Sequence, residues 1–138
     1  MVDLKSQYDK IKDVVNASIQ EVLDNTAYIN GPEVQKFQKN LETYLGVKHV
    51  IPCANGTDAL QIAMMGLGLK PGDEVITADF TFAATVETIA LLQLTPVLVD
   101  VDIVNMNIDI DSLKKAITPR TKAKIGRASC RERVLMPV

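Results

Sequence analysis

The sequence predicts an α/β fold, a mostly parallel sheet flanked by helices. Three observations carry that prediction. From Val47 onward, short apolar runs alternate with helix-like runs. The apolar runs are hydrophobic throughout rather than at every second residue, as in strands covered on both faces. Turn chemistry separates them, most clearly at Lys70-Pro71-Gly72-Asp73.

The elements follow in order. Leu4, Tyr8, Ile11, Val15, Ile19 and Val22 recur at three- and four-residue steps and predict an amphipathic helix from Leu4 to Leu23. Asp24-Asn25-Thr26 breaks it. After the loop Tyr28-Ile29-Asn30-Gly31-Pro32, Pro32 opens a second helix through Val34, Phe37, Leu41 and Leu45, which stops near Gly46. Val47–Cys53 reads as a short buried strand. Asp58–Leu67 reads as a helix with Leu60, Ile62, Ala63 and Met64 packed inward. Glu74–Ala78 is a second strand, Thr81–Leu94 an alanine-rich helical stretch, and Pro96–Val101 a third, very apolar strand. Asp111–Ile117 is a short helix capped by Asp109 or Asp111.

Composition limits the function classes. A chain of 138 residues fits one small domain. Its 47% hydrophobic and 23% charged content is that of a soluble globular chain. A net charge of −2 gives no electrostatic case for nucleic acid or an anionic membrane. No apolar run approaches the roughly 18 residues of a membrane span. The opening MVDLKSQYDK lacks the apolar core of a secretory signal, so the cytoplasm is the expected location. Cys53 and Cys130 form no C-x-x-C and no metal-ligand spacing with the single His49. No metal site and no Cys–His nucleophile pair are expected. His49 is expected to cap a strand entrance or face solvent.

Two junctions carry the chemistry. The first is Cys-Ala-Asn-Gly-Thr-Asp-Ala-Leu, residues 53–60, after an apolar run and before a helix. A loop at that place aims its groups into the crevice above the sheet. If the helix starts at Thr57 or Asp58, its first N–H groups lack internal partners and favour an anion. Gly56 removes a Cβ, and Thr57 adds a hydroxyl donor. The Asp58 carboxylate repels a phosphate unless it turns away or caps the N–H groups itself. A plain helix cap and a phosphate cradle both remain open on spacing alone. The lysine of a P-loop is absent. The second junction, Asp79-Phe80-Thr81-Phe82-Ala83-Ala84-Thr85, holds two of the three phenylalanines. Either both are core, or one offers its face to a flat heteroaromatic ring.

At these residues the chain resembles the amino-terminal part of the DegT/DnrJ/StrS sugar aminotransferases, which use pyridoxal 5′-phosphate (PLP) on the fold-type I aminotransferase scaffold. The matching stretches are VDLKSQYDKI, YINGPEVQKFQ, YLGVKHVIPCANGTDAL, LGLKPGDEVIT, FTFAAT, PVLVDVD and AITPRTKA. They run in the family's order from Val2 to Ala123. CANGTDALQI is most similar to members that aminate a 3-keto nucleotide sugar. The resemblance implies that Gly56 and Thr57, with Asp58, hold the PLP phosphate. It implies that Phe82 stacks on the pyridine ring. It further implies a homodimer, with the amino-terminal helix and the YINGPEV loop near its interface. Glutamate is the implied donor, and the keto group of a nucleotide-linked sugar the acceptor. The family's Schiff-base lysine and the acidic partner of the pyridine nitrogen lie beyond this chain. No catalytic residue is therefore assigned, and Lys122, Lys124, Asp100 and Asp102 are not promoted to those roles.

The tail has a different character. Arginine is absent from the first 119 residues, then appears at 120, 127, 131 and 133. Residues 124–134, KIGRASCRERV, fit neither a helix nor a strand period. Removing them leaves TKALMPV, a natural strand of the family. The stretch also resembles a translated sequencing adapter. The expected organisation is a helical segment at 1–46, a partial PLP-binding α/β domain at 47–123, a foreign insert at 124–134 and a residual strand at 135–138. The rival for the insert is a genuine basic patch, weak without aromatics. An incomplete chain of this kind is expected to be inactive alone. Two rivals stand: a PLP-dependent sugar dehydratase of the same family, and a non-catalytic α/β phosphate-binding module.

Overall fold

The computed structural model describes residues 3–126 and the backbone of 135–137. The chain divides into two compact units, Met1–Pro52 and Cys53–Val138. Residues 127–134, and with them most of the expected insert, lie outside the described residues.

The first unit holds two helices. Helix α1 spans Leu4–Asp24 and starts at Asp3, whose carboxylate accepts the Ser6 N–H at 3.0 Å and the Ser6 hydroxyl at 2.6 Å. Helix α2 spans Pro32–Leu45, with Pro32 in its first turn. Gly46 ends it in the left-handed region at φ 64°, a conformation glycine adopts without Cβ strain. Gly31, before α2, is required by space: a Cβ there would lie 2.4 Å from the Ala27 carbonyl oxygen. Neither helix buries a residue fully.

The strand expected at Val47–Cys53 is not formed. The Val50 N–H donates to the Glu42 carboxylate at 3.2 Å instead of to a ladder. Pro52 has no N–H to give, and Ile51 is 72% exposed. A buried strand needs partners for every backbone polar group, and this stretch joins no sheet.

The second unit is built on a four-stranded sheet in the order β2-β1-β3-β4. The strands are β1 Glu74–Ala78, β2 Thr95–Val99, β3 Thr121–Ile125 and β4 Leu135–Pro137. The pairs β1–β2 and β1–β3 are parallel, and β3–β4 is antiparallel. Every residue of β1 is buried, as a central strand covered on both faces requires. Helices α3 (Gly56–Gly66) and α4 (Ala83–Leu91) cover one face, where Leu60, Met64 and Ile89 meet Val75, Ala123 and Ile125. Helix α5 (Ile110–Ala116) covers the other, where Leu113 meets Ile76 and Val99. Asp109 caps α5 by accepting the Ser112 N–H at 2.7 Å. Of the two caps read from the sequence, Asp109 is the one used.

Three expectations need correction. Ile62 and Ala63 are exposed, and only Leu60 and Met64 of the inward set are buried, because α3 meets the sheet along the narrow stripe four residues apart. Strand β2 lies at the sheet edge, so it is only partly covered and Leu98 is 53% exposed. Lys124 and Ile125 continue β3, and Ile125 is fully buried in strand alternation with Ala123, so the aperiodic stretch does not begin at 124.

Candidate functional site

The site is defined by how α3 and α4 begin. Seven residues separate the end of α3 from the start of β1, and four separate the end of β1 from the start of α4. Both pack on the same face of the sheet. Short connections of this kind make each helix run back along the strand, so both helices start at the carboxyl end of β1.

Helix α3 opens at Gly56, one residue earlier than the Thr57 or Asp58 start expected. Its cap is Asn55, in extended backbone, whose Oδ1 accepts the N–H of both Thr57 and Asp58 at 2.9 Å. The Asn55 Nδ2 in turn donates to the Asp58 carboxylate at 2.9 Å. Asp58 therefore neither caps the N–H groups nor swings freely; Asn55 holds it. Sequence reasoning passed over Asn55, although asparagine is among the preferred residues at that position. The Gly56 N–H and the Thr57 hydroxyl reach no hydrogen-bond partner among the described residues. Gly56 is exposed and Thr57 and Asp58 are half-buried.

Phe82 stands at the start of α4, where its carbonyl accepts the Thr85 N–H at 2.9 Å. Phe82 is 59% exposed and Phe80 is 56% exposed, so the reading of both as core is excluded. Between the carboxyl ends of β1 and β2 lies an open cavity of about 330 Å³, lined by Asp79, Phe80, Asp100, Val101 and Met106.

Other candidates have structural duties. The Asp100 Oδ1 accepts the Val101 N–H at 2.8 Å, and the Asp102 Oδ1 accepts the N–H of Val104 and Asn105. These bonds shape the turn after β2. Lys122 donates to the Pro119 carbonyl at 3.1 Å, at the amino end of β3 and so at the far end from the site. Cys53 and His49 are exposed. Among the described residues, no group of three His, Cys, Asp or Glu side chains is placed to hold a metal ion.

Three carboxylates are held below their ordinary range, all outside this site. For Asp3 the main cause is the Ser6 hydroxyl, and for Asp109 the Ser112 backbone N–H. For Glu74 it is the Thr118 hydroxyl, with the Arg120 charge adding to it.

This combination of a capped helix start and an exposed aromatic at adjacent crevice loops sits within residues 9–126, which match the model of the DegT/DnrJ/EryC1/StrS aminotransferase family. The chain belongs to that family. The DegT/DnrJ/EryC1/StrS match covers both junctions and the whole three-stranded parallel part of the sheet. Over 124 residues, the chain is 55% identical to the UDP-2-acetamido-2-deoxy-3-oxo-D-glucuronate aminotransferase of Pseudomonas aeruginosa, covering 90% of this chain and 34% of that protein. Among solved structures, it is similar to a DegT DnrJ EryC1 StrS aminotransferase from Brucella abortus. The TM-score is 0.80 at 49% identity, over 84% of this chain and 31% of that one. It is also similar to NtdA from Bacillus subtilis with bound cofactor PMP, with a TM-score of 0.80 at 38% identity, over 86% of this chain and 27% of that one. The chain spans about a third of the length of the curated relatives it matches.

The residues present fit a phosphate-bearing cofactor. Among the described residues, two donors, the Gly56 N–H and the Thr57 hydroxyl, are unengaged at the start of an 11-residue helix. Two more N–H groups are satisfied only by one neutral side-chain amide, which an anion can replace.

Proposed function

We propose that this chain is the phosphate-cradle portion of a PLP-dependent nucleotide-sugar aminotransferase. Its acceptor is the keto group of a nucleotide-linked sugar, its donor glutamate, and its working form a homodimer in the cytoplasm. The observation that carries this reading is the opening of α3. A polar start with unengaged donors faces the carboxyl end of the sheet, in a chain 55% identical to an enzyme named for a 3-oxo nucleotide sugar.

The geometry supports the following residue roles. The Gly56 N–H and the Thr57 hydroxyl bind the phosphate oxygens directly. The N–H groups of Thr57 and Asp58 join them once the Asn55 amide turns out. Asp58 thus contributes its backbone N–H, and its carboxylate, released when the Asn55 amide turns out, points away from the phosphate. Phe82, exposed at the start of α4, offers the ring face that orients a flat heterocycle. PLP, when bound, supplies the electron sink for exchanging an amino group. The protein's part here is binding and orientation, and no residue of this chain is assigned a proton-transfer role.

The test is a titration of the 138-residue chain with PLP and, separately, with inorganic phosphate, read by amide chemical shifts. Shifts at Gly56, Thr57 and Asp58 are expected with both ligands, and at Phe82 with PLP alone. The T57V variant should weaken both titrations. Silence at residues 56–58 overturns the cradle. Glutamate-dependent turnover by this chain overturns the expectation that it is inactive alone.

A further inference from the structure

We propose that Glu74 is a register lock for the sheet: its carboxylate is the receptor on which the Thr118-Pro119-Arg120-Thr121 turn closes, fixing where β3 enters beside β1. This goes beyond the aminotransferase reading and does not depend on it.

Glu74 is 4% exposed, an unusual burial for a carboxylate. It is fully partnered, by groups 44 to 47 positions further along the chain. The Thr118 hydroxyl donates to Oε2 at 2.5 Å and the Thr121 hydroxyl donates to the same oxygen at 3.2 Å. Arg120 Nη2 lies 2.7 Å from Oε1. The Glu74 N–H donates to the Arg120 carbonyl at 2.9 Å.

An ionised carboxylate only accepts, so each hydroxyl directs its proton at Glu74. The Thr121 Oγ1 accepts the Thr118 N–H at 2.9 Å, and the Thr118 Oγ1 accepts the Arg120 N–H at 3.1 Å. Each hydroxyl oxygen thus accepts an N–H inside the turn while donating its proton to Glu74. The turn is wired to receive an acceptor, and Glu74 is that acceptor.

The register shows what the lock does. Glu74 pairs with Thr121, but the next pair is Val75 with Ala123, so Lys122 is an extra residue in β3. Without that bulge, Val75 would face Lys122. A one-residue slip of this kind would send Lys122 and Lys124 toward the core in place of Ala123 and Ile125. The hydrophobic pattern therefore sets the pairing from Ala123 onward, and the Glu74 clasp sets it independently at Thr121. The two hydroxyls carry most of the clasp, because Arg120 is 72% exposed and an ion pair so solvated contributes little.

The lock is tested by amide hydrogen exchange in the whole chain, comparing the Glu74 N–H with the Ile76 N–H. In the T118V/T121V variant, the Glu74 amide should lose at least tenfold more protection than the Ile76 amide. The T118S/T121S variant should keep wild-type protection, and R120A should change it less than threefold. An equal loss at both amides marks the clasp as a general stabiliser and overturns the lock, as does no loss at Glu74. If the double valine variant does not fold, T118V alone gives the same comparison.

Discussion

Asn55 governs the candidate cradle because a single carboxamide oxygen satisfies two helix-start N–H groups. It stabilises α3 in the way an anion would, and so competes with one. Asn55→Ala should lower stability by about 1 kcal/mol, the usual cost of losing such a cap. It should also tighten inorganic phosphate binding, since two donors become available. Urea unfolding and a phosphate titration check the two halves separately, and unchanged stability would contradict the cap. Glu74, Asp3 and Asp109 belong to the same scale. Each is held below its ordinary pKa in the folded chain. Each therefore binds a proton less readily folded than unfolded, and the stability it lends is complete above the unfolded value of about 4. That stability is lost as pH falls through the lower folded values. Glu74→Gln should flatten the acid side of a plot of melting temperature against pH. A variant curve parallel to wild type at every pH would exclude Glu74 as a contributor.

Among the elements, the contrast between Val47–Cys53 and β1 is the most instructive. Both are short apolar runs bounded by turn residues, and both read as buried strands. Strand β1 pairs with β2 and β3, whereas Val47–Cys53 joins no ladder among the described residues, so only β1 becomes a strand. Ile51→Ala should change stability by less than about 0.5 kcal/mol, as exposed positions do. Ile89→Ala, at a fully buried position between α4 and the sheet, should cost about 2–5 kcal/mol. Denaturant midpoints of the two variants distinguish these outcomes, and a large loss at Ile51 would restore the buried strand. The helices were more legible, since three- and four-residue spacing and local caps suffice. Helix α1, helix α2 and helix α5 all start within a residue of where the sequence places them. Helix α3 starts at Gly56, before the expected Thr57 or Asp58, because the Asn55 side chain already closes the first helical turn.

For the molecule as a whole, two features follow from the sheet order. Strand β2 is an edge in the described sheet, and Leu98 on it is 53% exposed. An apolar edge strand is a template for pairing with another copy. Leu98→Lys should raise the concentration at which the chain self-associates, while leaving its unfolding midpoint within about 0.5 kcal/mol of wild type. Sedimentation at increasing concentration checks the first claim. No shift in association would place the contact elsewhere. The candidate site, meanwhile, draws on two loops that lie at one end of the sheet because α3 and α4 share a sheet face.

What the sequence determined by itself is what short-range forces decide. These are the helical periods, the caps at Asp3 and Asp109, the left-handed stop at Gly46 and the family motifs at residues 53–60 and 81–85. Each depends on residues within a few positions of one another. Tertiary structure alone decided which apolar run became a strand, which face of α3 was buried, and that Glu74 would be enclosed by a turn 44 residues away. The reason is that a ladder bond or a buried carboxylate needs a partner supplied from elsewhere in the chain, and local sequence carries no record of which partner arrives.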